Sequence, residues 1–201
     1  LTVRLNCLIF FVIVVDLVGF GVLIPILPFL SPALGGTTQD VALILVVYSL
    51  AAALVSPLWG SLSDRFNRRL ILAVCLFGGA FSHFLLALAD GLWMVYVART
   101  VAGLMAGSLP VATAFIADNS EPNRRAQAMG LIGRAFGVGL VLGPLIGGLL
   151  SRGEMSFTLP CLIAGLLSSL AAFLAVTLLP RENPQRFEIA KQTDIPANVY
   201  N

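Results

Sequence analysis

The sequence predicts an all-α, polytopic membrane protein with six transmembrane helices. Of its 201 residues 58% are hydrophobic and 11% are charged, whereas soluble domains carry about 25% charged residues. A water-facing surface could not be covered. The apolar residues also fall into six runs of about 20, the length a helix needs to cross the hydrocarbon core. These runs are long and continuous, unlike the short alternating segments of a membrane barrel, so strands are excluded as the spanning element.

Helix 1 is expected over 5–30, where an apolar run contains Asp16 and two glycines and then Pro25 and Pro28. A cleaved signal peptide does not fit there, because the run is too long, holds an acid and lacks a small-residue cleavage site. Helix 2 spans 41–62 and ends at the polar stretch GSLSDRFNRR; helix 3 follows over 70–89. Helix 4 spans 92–117, helix 5 covers 126–150 with a dense glycine pattern, and helix 6 covers 157–179. Together these make a transmembrane domain over 1–180. Residues 181–201 turn abruptly polar and contain two prolines, as a cytoplasmic tail or the start of a linker does.

Lysine and arginine in short loops resist translocation and so set orientation. Arg4, Arg65, Arg68, Arg69, Arg124, Arg125, Arg181, Arg186 and Lys191 fall on one side, and Arg152 stands alone on the other. Both termini are therefore expected in the cytoplasm, with a bacterial inner membrane as the location. Cys7, Cys75 and Cys161 all lie in predicted spans and read as buried free thiols, not a disulfide framework or metal site. His83 has no second ligand at helical spacing and is left out of the site. No G-x-x-x-x-G-K-[ST] loop is present, so no ATP and no cofactor is implied. No nucleophile, base and orienting group form a set, so no enzyme is expected. Nothing suggests a nucleic-acid partner.

Charges near the bilayer centre cost about 2.5 to 3.5 kcal/mol on insertion scales, so each needs a partner, water or a purpose. Asp16 sits about 16 Å of helical rise from Leu5, close to mid-membrane. It either lines a cavity or hydrogen-bonds a neighbouring helix as a structural acid. Arg99 stands beside Gly103 and Gly107, small residues that permit close helix approach, and so faces protein or water. Arg134 is nearer the cytoplasmic end of its helix, where its stem can snorkel or form a structural ion pair. Gly139, Gly143 and Gly147 lie on one face of helix 5, with Pro144 among them and Gly148 beside them. Asp64, directly after helix 2, is badly placed against that helix's own dipole and needs a nearby arginine or another helix's N-terminus.

Gly60, Asp64, Arg65, Arg68 and Arg69 resemble the loop 2-3 signature of the major facilitator superfamily, G-x-x-x-D-R-x-G-R-R, with Asn67 in place of the second glycine. Asparagine tolerates a left-handed backbone, so the turn is expected to survive. Asp16 to Pro28 resembles the first helix of the proton-coupled drug-antiporter branch, especially the tetracycline-efflux relatives. Arg99 to Gly107 is similar to the R-x-x-x-G core of its fourth-helix motif. Gly139, Gly143, Pro144, Gly147 and Gly148 resemble its antiporter motif, and Asp118, Arg124 and Arg125 resemble its loop 4-5. Arg134 stands where that branch has a small residue.

The resemblance implies a cytoplasmic gate contact for Asp64, proton coupling for Arg99, interface packing for the helix 5 motif, and a cavity lined by helix 1. It covers one half of a transporter, since members have two six-helix halves with substrate between them near the midplane. A first residue of Leu, not Met, points to a fragment or an unusual start. The expected partners are the lipid bilayer, a small amphipathic substrate, protons, and a second half, a homodimer mate or a larger membrane complex. The leading expectation is proton-coupled export. The alternative is a non-transporting subunit that docks through the same small-residue face.

Overall fold

A computed structural model describes residues 2–120, 123, 125–151 and 157–179, with side chains from Cys7 onward. Among these residues there are eight helices and no strand: α1 (Thr2–Val22), α2 (Leu27–Ala33), α3 (Thr38–Arg65), α4 (Arg68–Ala87), α5 (Leu92–Leu104), α6 (Ser108–Asn119), α7 (Arg125–Leu150) and α8 (Thr158–Leu178). Five spans are long and apolar enough to cross a membrane, with α5 and α6 together forming one of them. The pair α1 and α2 makes a sixth across a 42° bend.

Two helices expected to be continuous are broken. Pro25 and Pro28 lack the N–H groups that would bond the carbonyls of Gly21 and Ile24. The chain there closes tighter turns instead, Ile24 N–H to Gly21 O at 3.2 Å and Ile26 N–H to Leu23 O at 3.1 Å. The second break falls at Met105–Gly107. Pro110 cannot donate back to Ala106, and Gly107 N–H turns onto Met105 O at 2.7 Å. The Trp59 indole N–H donates to the Leu104 carbonyl at this break, at 2.7 Å.

Asp64 lies inside the last turn of α3, not after it. Asn67 corrects a further expectation. Its backbone is extended (φ −62°, ψ 116°), no non-glycine residue described has positive φ, and its side chain accepts the Arg69 N–H at 3.0 Å. An asparagine replaces the signature glycine here as the N-cap of α4, a position that needs no left-handed backbone.

α1 packs between α7 and α8, α4 packs between α8 and α5, and α3 lies on α5. One apolar cluster joins Ile9, Ile13, Leu72, Leu76 and Phe115, and a second joins Leu23, Leu30, Ile44, Leu86 and Val95. Outward faces are apolar as well: Leu54, Leu58, Phe81, Val141 and Phe173 are exposed, as lipid permits. Lipid also removes the hydrophobic drive between helices, so close contact rests on small residues. A β-carbon on Gly103 of α5 would stand 2.5 Å from the Tyr48 carbonyl of α3, and one on Gly165 of α8 would stand 2.8 Å from the Phe84 ring of α4.

Candidate functional site

Asp16, Arg99 and His83 line one cavity of about 500 Å³, walled mainly by α1, α3, α4, α5 and the start of α6. The break at Met105–Gly107 matters here because it begins α6 at Ser108. The Ser108 hydroxyl donates to the Asp16 carboxylate at 2.7 Å. Asp16 is partly exposed in the cavity, whereas Arg99 is 2% exposed. The two do not pair: among the described residues the ion pairs within 4 Å are those of Arg68. Nε and Nη2 of Arg99 have no hydrogen-bond partner.

His83, left out by sequence reasoning, is on the same wall, 5% exposed and with Nδ1 unpartnered. Ser82 beside it donates to the Ala98 carbonyl at 2.9 Å, fixing α4 against α5 next to Arg99. Helical spacing along one segment could not show a relation that crosses two helices.

A second constellation forms at the ends of α3, α4 and α6. Arg68 Nη2 bonds Asp64 at 2.6 Å and Asp118 at 2.8 Å, so loop 2-3 and loop 4-5 meet through one guanidinium. Arg69 turns the other way, donating from Nη1 to the Leu179 carbonyl at 2.8 Å and from Nη2 to the Val176 carbonyl. It thereby satisfies one carbonyl in the last turn of α8 and that of its C-cap residue. Arg65 and Arg125 are exposed, and Gly60 has open space where a β-carbon would stand. Arg124 lies outside the described residues.

The glycine face of α7 is spent on α1. Gly139 meets Leu17, Gly143 meets Gly21, and Gly147 meets the Val22 carbonyl and Pro25. Pro144 lies against Gly21 as well. Gly148 points to open space. Arg134 is exposed on α7 and forms no ion pair with a described residue.

A family model described as Major Facilitator Superfamily matches residues 9–201. The chain belongs to the major facilitator superfamily. Among curated members, it is 36% identical to the class B tetracycline resistance protein of Escherichia coli over 171 residues, covering 83% of this chain and 42% of that protein. It is 36% identical to the class C protein of Escherichia coli over 192 residues, covering 94% and 47%. With the quinolone resistance protein NorA of Staphylococcus aureus it shares 32% over 171 residues, covering 85% and 44%. The chain thus spans less than half the length of these superfamily relatives. Among solved structures, the human organic anion transporter MFSD10 (TETRAN) superposes with a TM-score of 0.82 at 25% identity, over 93% of this chain and 49% of that one. A bacterial homologue of the lysosomal transporter Spinster gives 0.74 at 20% identity, which bears on the superfamily fold alone.

Proposed function

We propose that this chain is the N-terminal six-helix half of a secondary active transporter that exports a small amphipathic organic molecule in exchange for protons, by alternating access. The observation that carries the reading is the shared cavity. A partly exposed carboxylate and a buried guanidinium face it without neutralising each other, and unpaired charge at membrane depth is a functional feature by default. Tetracycline and quinolone resistance proteins among the relatives support drug-like cargo.

In this reading Asp16 carries the proton and exchanges it with water entering the cavity. The glycine and proline face of α7 holds the α1 bend against it, so that rotation of the bundle moves the carboxylate with the cavity wall. Asp64, Arg68 and Asp118 brace the cytoplasmic end, where Asp64, 63% exposed on its side chain, is free to meet a second bundle. That second half supplies the rest of the substrate site. The membrane is the bacterial inner membrane, with the arginine-rich loops and both termini in the cytoplasm.

The test is exchange in proteoliposomes containing the full transporter, driven by an imposed pH gradient and followed with tetracycline. Asp16→Asn is expected to lower proton-driven uptake at least about tenfold, as loss of a proton-transfer group does. Wild-type rates in Asp16→Asn would remove the mechanism, and a wild-type protein that moves no substrate but co-purifies in fixed ratio with a larger complex would favour a non-transporting subunit.

A further inference from the structure

Arg99 is a buried cation with no carboxylate within 4 Å among the described residues, an arrangement that is costly unless something else supplies the counter-charge. Its two unpartnered nitrogens, Nε and Nη2, form the side-on edge of the guanidinium. That edge presents two parallel N–H groups, the pair that grips a carboxylate in bidentate fashion. His83 lines the same cavity with Nδ1 unpartnered, and the Ser82 to Ala98 bond holds its helix in register with that of Arg99. Asp16, the acid of this cavity wall, is engaged by Ser108. The remaining surface is largely apolar, and Phe20 and Tyr48 lie with ring centroids 5.5 Å apart.

Resting on the transport reading above, we infer that the substrate class is organic acids: an aromatic or alicyclic body against Phe20, Tyr48 and Phe136, with its carboxylate on the Nε and Nη2 edge of Arg99 and beside His83. The aromatic walls supply affinity for the body, and the two buried nitrogen groups select the acid. A neutral carboxamide of the same shape offers the Arg99 edge one acceptor oxygen in place of two and no counter-charge, so discrimination is against the uncharged analogue.

The probes are naphthalene-2-carboxylate and the neutral naphthalene-2-carboxamide, bound at equilibrium to the full transporter in nanodiscs and followed by calorimetry. Wild type is expected to favour the carboxylate about tenfold or more, as charge-assisted bidentate bonds do. Arg99→Gln is expected to bring the ratio close to one. Arg99→Lys, which keeps the charge without the fork, is expected to fall between, and it decides the matter if Arg99→Gln elutes as misfolded protein. His83→Phe is expected to reduce the ratio a few-fold. Equal binding of the two probes by wild type, binding of neither, or an undiminished ratio in Arg99→Gln and Arg99→Lys overturns the inference. Equal binding is the result if an acid from the second half already covers Arg99. No proton gradient enters this measurement, so it can fail while proton-driven exchange holds, and the reverse.

Discussion

The amide oxygen of Asn67 accepts the Arg69 N–H at 3.0 Å, so α4 begins with one of its otherwise unpaired donors satisfied. Asn67→Ala is expected to lower stability by about 1 kcal/mol, while Asn67→Gly, which restores the family's residue, costs only a few tenths. Thermal midpoints of the three proteins in one detergent check the ranking; equal losses for both variants would mean the cap contributes little. Arg68 shows a different limit on reading residues from sequence. Its partner Asp64 stands four residues away, a spacing visible along the chain, but Asp118 is 50 residues away and meets it only because α6 ends beside α4. For the same reason the carbonyl targets of Arg69 on α8 and the cavity position of His83 were invisible, although both residues were plain in the sequence.

Among the elements, α7 and α1 meet backbone to backbone at Gly143, where a β-carbon would stand 2.5 Å from the Gly21 α-carbon. Backbone cannot yield as a flexible side chain does, so Gly143→Ala must push the two helices apart. It is expected to destabilise by about 1 to 3 kcal/mol, in the manner of overpacking. Gly148→Ala, five residues on but facing open space, is expected to be neutral or slightly stabilising, because alanine is the better helix former. Thermal unfolding of both variants separates the readings; similar losses would place the stress in the helix itself. Spans were legible because lipid demands about 20 apolar residues regardless of partners. The bend after Val22 was signalled by Pro25 and Pro28, yet the apolar run continues across it, so composition alone joined the two pieces. The break at Met105–Gly107 contains no proline at all, and its causes, Pro110 downstream and the Trp59 indole, act from outside it.

For the whole molecule, the decisive asymmetry is how little of α3 and α7 the rest of the chain covers. Over their most apolar stretches α3 is 11% buried and α7 17%, against 56% for α4. A helix with lipid on its free side gains nothing from glycine there, since lipid adapts to any side chain and glycine costs helix stability. Yet Gly130, Gly133 and Gly137 on α7 all face open space, at a spacing that puts them on one side of the helix. Such residues allow a second backbone to come close, and the second half in the transport reading proposed above is the chain to test there. Gly137→Leu is therefore expected to leave this six-helix bundle folded, with an unchanged melting profile when expressed alone. It is expected to reduce association with a separately expressed second half at least about tenfold, as a large side chain in a close helix crossing does. Co-purification of tagged and untagged halves reads this out. If Gly137→Leu pulls down its partner as wild type does, that side of α7 faces lipid and the second bundle docks elsewhere.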